Sequence, residues 1–166
     1  MAVKLNSELA AFFNTGDQPS ETEFGHLIDT FLPIPVLLSS GTQTLTKVAN
    51  QGRVNIVPNL GGASVYTIPV PAAAGEWYKF IYGGAAEDAE MVQFSTGTGN
   101  AVYMKGAIIH HDTGGNSAAA YSNGSSNELL KLDDAGPYEI NFLSYSTTIW
   151  YVWGNTTSGT NTIFAD

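Results

Sequence analysis

Several things are scarce in this 166-residue chain, and each scarcity removes a class of function. It has no cysteine, so disulfide bonds and thiolate chemistry are excluded. Charged residues are 13% of the total, about half the ~25% of ordinary soluble domains, which rules out a coiled coil or a charged linker. Positive charge is scarcest: six Lys and Arg stand against fifteen Asp and Glu, a net charge of −9. The six cations, Lys4, Lys47, Arg53, Lys79, Lys105 and Lys131, are scattered singly. Nucleic-acid binding needs clustered cations that displace counterions from phosphates, so no nucleic-acid partner is expected, and no docking on an anionic membrane. Long apolar runs are also missing. The most apolar stretch, Phe31 to Leu38, is interrupted by Pro33 and Pro35 and is far too short to cross a bilayer. The opening Met-Ala-Val-Lys-Leu-Asn-Ser-Glu lacks the apolar core of a signal peptide, so synthesis in a cytoplasm without general export is expected. Gly-x-Ser-x-Gly, Gly-x-Gly-x-x-Gly and Gly-Lys-Ser/Thr do not occur, so the motifs of a nucleophile elbow and a phosphate cradle are absent.

What is present divides into a short head and a long body. In the head, Ser20 stands three residues before Glu23, the spacing of a capping box. Phe24, Leu27, Ile28 and Phe31 follow at i, i+3, i+4, i+7, one apolar stripe of a helix. Pro33 ends it, because the residue before proline is pushed out of the α region. A helix is predicted over Glu21–Phe31, and a shorter one, capped by Asn6 or Ser7, through Phe13. Helices this short need a surface to pack on. Phe12, Phe13, Phe24, Leu27, Ile28 and Phe31 must therefore cover either the chain's own body or a neighbouring molecule. Pro33-Ile34-Pro35 reads as a semi-rigid connector.

From Leu37 onward the pattern changes to period 2 with glycine-rich turns at Gly61-Gly62, Gly83-Gly84, Gly97-Thr-Gly99, Gly114-Gly115 and Asn123-Gly124, the pattern of short strands in a sandwich or barrel. Strands are expected at Thr42–Val48, Val54–Val57, Ser64–Val70, Glu76–Tyr82, Met91–Ser95, Ala101–His110, Glu128–Leu132, Tyr138–Leu143, Ile149–Gly154 and Thr160–Phe164. No strand alternates with a long helix, which argues against parallel βαβ units. The expected fold is mainly β. An antiparallel β-sandwich or jelly-roll-like domain over 37–166 follows an N-terminal arm over 1–36 with one or two short helices and a proline linker. Gly114 to Asn127, small and polar, reads as a long exposed loop.

Reactive constellations are weak. His110 and His111 are adjacent, and adjacent strand residues face opposite sides, so they do not readily share one ion; a third ligand would have to come from His26. Asp133-Asp134-Ala135-Gly136 lacks the alternating oxygen ligands of a calcium loop and reads as a turn in which Gly136 takes the unusual torsions. Glu87-Asp88-Ala89-Glu90 reads as a solvated acidic loop; a glycosidase would need two carboxylates set across a cleft. No catalytic residue, metal or cofactor is expected. Aromatics are the remaining signal: Trp77, Tyr78, Phe80 and Tyr82 in one run, Trp150, Tyr151 and Trp153 in another. Alternation puts Tyr78, Phe80 and Tyr82 on one face and Trp77 on the other. Most of these rings suit a core, and any left exposed would suit a sugar platform or a subunit interface.

The head, Leu5 to Phe24 running into Leu27-Ile28-Asp29-Thr30-Phe31, resembles the opening of structural proteins of tailed bacteriophages. The body, with Tyr66-Thr67-Ile68-Pro69-Val70-Pro71, Tyr78-Lys79-Phe80, Gly136-Pro137-Tyr138 and Trp150-Tyr151-Val152-Trp153-Gly154, is similar to small β domains of capsid decoration and tail fibres. The resemblance implies a non-enzymatic virion component, made in the host cytoplasm and carried on the outer capsid surface. It further implies a homotrimer fixed to the major capsid protein through its N-terminal segment. A compact decoration (cement) protein fits better than a full-length fibre, because no stalk or collagen-like tract is present. Phe12, Phe13, Phe24, Leu27, Ile28 and Phe31 are the expected docking or assembly residues. The alternative is a receptor-binding or carbohydrate-binding module that sets Trp150 or Trp153 and the Gly114–Asn127 loop against a glycan.

Overall fold

The computed structural model describes residues 20–22, 24–25, 34–84, 89–112, 114–158 and 162–166. The chain divides into two compact units, Met1–Ile34 and Pro35–Asp166. In the first, Glu21, Thr22, Phe24 and Gly25 are helical, the Phe24 N–H donates to the Ser20 carbonyl at 2.9 Å, and Phe24 is exposed. The rest of the helix predicted over Glu21–Phe31, and the whole of the earlier one, lie outside the described residues, and with them Phe12, Phe13, Leu27, Ile28 and Phe31.

The second unit is mainly β, with β1 Val36–Leu37, β2 Gln43–Thr44, β3 Val54–Val57, β4 Ser64–Thr67, β5 Trp77–Tyr82, β6 Val92–Ser95, β7 Tyr103–Asp112, β8 Ser117–Asn123, β9 Leu129–Leu132, β10 Ala135–Ser146, β11 Ile149–Ser158 and β12 Ile163–Ala165. A seven-stranded sheet has the order β1-β3-β5-β10-β11-β7-β8, and a five-stranded sheet the order β12-β9-β6-β4-β2. One short helix, α1 (Lys47–Asn50), links β2 to β3. Thr46 caps it by accepting from the Ala49 N–H at 3.2 Å, and the Asn50 side-chain amide donates to buried Asn55 of β3 at 2.8 Å.

Both sheets are mixed, which corrects the antiparallel expectation. β1–β3, β3–β5, β2–β4, β4–β6 and β7–β11 are parallel pairs. Parallel neighbours need a crossover connection. Here strands of the opposite sheet supply it: from β1 to β6 the chain alternates between the sheets, each strand lying parallel to the one two before it. The lack of long helices argues against βαβ units but leaves this route to parallel pairing open. Two further corrections concern position. The expected Gly114–Asn127 loop contains β8, and the expected strand Thr42–Val48 is β2 followed by the start of α1.

The core lies where the buried faces of the two sheets meet. Phe80 and Phe142 of the larger sheet contact Phe94 of the smaller, with ring centroids 4.6 and 5.8 Å apart. Trp150, Tyr78, Ile108, Tyr66 and Leu130 are fully buried around them. Alternation sends Tyr78 and Phe80 inward, and their chain neighbours Trp77, Lys79 and Ile81 outward.

Candidate functional site: the outer face of the seven-stranded sheet

The opposite face of the larger sheet is unusually apolar for a surface. Strand register sets it out row by row. Trp77, Leu143, Tyr151 and Lys105 stand side by side on β5, β10, β11 and β7. The next row is Lys79, Asn141, Trp153, Ala107 and Tyr121. The third contains Ile56, Ile81, Glu139, Asn155 and Ile109. Facing residues in neighbouring strands are about 5 Å apart, so these side chains make one surface. Its exposed large apolar members range from 38% exposed at Leu143 to 75% at Tyr121, whereas Ile56 and Ile81 are half-buried. Tyr151 and Trp153 lie with ring centroids 5.9 Å apart. Large contiguous apolar patches are uncommon on monomeric proteins and mark sites of contact.

Three of the five polar side chains in these rows are tied together. Lys79 Nζ lies 2.9 Å from Glu139 Oε2, and Asn141 Nδ2 donates to Glu139 Oε1 at 3.2 Å. The Lys79 hydrogen bond, assisted by that of Asn141, holds the Glu139 carboxyl below the usual carboxylate range. These three rows carry Lys79, Lys105 and Glu139, so the chain's net acidity does not fall on this face.

The structure sorts the aromatic residues into two sets. Trp77, Tyr151 and Trp153 are at the outer face, whereas Trp150, the ring also suggested for a sugar platform, is fully buried, edge-on to Tyr78 at 5.5 Å. Leu143 and Tyr121 belong to the face and were missed: Leu143 sits in a strand whose alternation was visible, Tyr121 in the segment taken for a loop. Of the sequence-predicted docking residues, only Phe24 is described. His110 is buried with Nε2 2.9 Å from the Ser158 carbonyl oxygen, and His111 is exposed with Nδ1 3.2 Å from Ser117 Oγ. Among the described residues no group of three or more His, Asp or Glu is placed to hold a metal. In the Asp133–Gly136 turn, Asp134 takes the left-handed torsion with φ 49°, in place of the expected Gly136. Gly136 is needed for a different reason: a Cβ there would stand 2.9 Å from the Thr157 carbonyl oxygen. The arrangement is suited to holding a partner by surface contact. No family model matches the chain, and no curated protein matches it.

Proposed function

We propose that this chain is a non-enzymatic structural protein of a tailed-phage virion. In this reading it is a decoration (cement) protein that binds the major capsid protein on the outer surface of the head and stabilises it. The two mixed sheets would form a jelly-roll-like sandwich that serves as a scaffold. The observation that carries the proposal is the outer face of the seven-stranded sheet. Rings and branched side chains of roughly 150–250 Å² for each aromatic stand there half-exposed, on the scale of one partner's ~800 Å² share of a standard interface. Covering them, at roughly 25 cal/mol per Å², joins copies of the chain, in threes as the phage resemblance implies. The N-terminal unit, with Phe12, Phe13, Phe24, Leu27, Ile28 and Phe31, would dock on the capsid. Net acidity suits a position outside the shell, since an inner one would face DNA phosphates.

The test is co-sedimentation with capsids lacking the protein. The double variant Phe24→Asp with Phe31→Asp is expected to lose binding while far-UV circular dichroism of the β unit stays unchanged; binding retained by that variant contradicts the docking role. The second reading, a carbohydrate-binding module, is favoured by one observation: Trp77 and Tyr151 in the adjacent row, and Trp153 beside Asn141, stand next to the Lys79–Glu139–Asn141 polar group. A saturable tryptophan-fluorescence response to soluble oligosaccharides would mark that reading.

A further inference from the structure

Four strands end the two sheets. Three are very short: β1 and β2 have two residues each and β12 has three. Short edges are one way proteins prevent unwanted pairing. The fourth, β8, has seven residues, Ser-Ala-Ala-Ala-Tyr-Ser-Asn, so it lacks the shortness, charge and proline that protect other edges. Its free side follows from the ladder. The Asp112 N–H donates to the Asn116 carbonyl at 2.7 Å, and the Tyr103 N–H donates the other way, to Thr148 beside β11, at 2.9 Å. Even-numbered residues of β7 therefore bond β8 and odd-numbered ones bond β11. By the register Ile108↔Ala120, Ser117, Ala119, Tyr121 and Asn123 point their N–H and C=O groups away from the sheet.

A second feature marks the same edge. A recess of about 260 Å³ is lined by His110, Thr162 and the three alanines Ala118, Ala119 and Ala120. Ala119 faces the outer side with Ile109, so a recess that also touches Ala118 and Ala120 reaches round the strand's free backbone edge. The Thr162 hydroxyl is buried there without a hydrogen-bond partner among the described residues.

We infer that β8 is a strand-addition site for a second copy of this chain, joined β8 to β8, antiparallel, about a two-fold axis through Ala120. This register is self-complementary. It sets Ser117 opposite Asn123 and Ala119 opposite Tyr121, each twice, and uses the whole strand. On the outer side each Tyr121 ring, the most exposed of that face, lies over the small Ala119 of the other copy. On the inner side Ala120 meets Ala120 and Ala118 meets Ser122, so no bulky β8 side chain holds the backbones apart. No charge meets a like charge, although each copy carries −9. The Trp153–Ala107–Tyr121 row continues across the joint into the Ala119–Ile109–Asn155 row of the other copy. The contact is isologous and joins copies in twos. It stands apart from the phage proposal, and a three-fold contact elsewhere would combine with it.

The test is the mass of the full chain in solution by light scattering. Ala119→Pro removes a free-side N–H without touching a bond to β7, and Ala119→Lys places a cation opposite Tyr121. Each is expected to halve the wild-type mass, from dimer to monomer or from hexamer to trimer. Trp153→Glu, aimed at the outer face, is not expected to halve it. Because the chain has no cysteine, Ala120→Cys supplies an independent probe. Facing residues at a non-hydrogen-bonded antiparallel position have Cα atoms about 4.5 Å apart, within disulfide range. Oxidation is expected to give a covalent dimer from Ala120→Cys and none from Ala74→Cys in an exposed loop. A monomeric wild type, an unchanged mass for a folded Ala119→Lys, or equal cross-linking of both cysteine variants would overturn the inference.

Discussion

Gly106 and Gly154 occupy the middle of β7 and β11 with φ of 139° and 155°. A Cβ on Gly106 would run into the Val152 carbonyl oxygen, and one on Gly154 into that of Glu139. Neighbouring backbones thus come close where a side chain has no room, and the atoms in the way are backbone, which yields little. Gly106→Ala is expected to lower stability by about 3–5 kcal/mol, in the range of strain and core disruption, read as a shifted urea midpoint. Alkali is a second test at this scale. Burial raises the Tyr66 hydroxyl from 10.0 to about 12 and raises that of Tyr78 further. A raised folded value keeps the contribution intact below pH 10, the unfolded value, and loses it as pH rises toward 12. Circular dichroism is expected to show stability falling only above about pH 10, steeply for the wild type and less so for Tyr66→Phe; loss beginning below pH 9 would contradict it. Legibility was uneven among single residues. Alternation separated Trp77 from Tyr78 and Phe80 because period 2 is a property of one strand. It did not say whether Trp150 or Trp153 faced the core, since that depends on which side of β11 the second sheet covers.

Most elements of the β unit were legible in outline. β3, β5, β6, β9 and β11 begin within a residue of where alternation and turn glycines put them. β1 and β8 were not. β1 is two residues beside a proline, with nothing local to announce it, and it exists because Val36 and Leu37 pair with Asn55 and Ile56. β8 is built from alanine and serine, which have little strand preference of their own; β7 provides a template for it. Sheet direction was misjudged because turn signals report where the chain reverses and are silent on which sheet receives the next strand. The candidate site shows the same division. Its rings were visible as rings, whereas their assembly on one face required the register of β5, β10, β11 and β7, a non-local property.

At the scale of the whole molecule, a thin layer of charge and a broad aromatic sheet face are the features on which the proposal of a contact role rests. The buried faces of both sheets are filled by large side chains such as Phe80, Phe94, Phe142 and Trp150, so under the proposal any partner would be met at the outer surfaces. The phage proposal gives those surfaces a partner and a place. Copy number on purified, intact particles of any phage that encodes the chain, by quantitative mass spectrometry against the major capsid protein, tests it most directly. Hundreds of copies per particle, released together with capsid stability when the protein is stripped, are predicted; its absence from particles, or a handful of copies confined to the tail, would contradict the proposal.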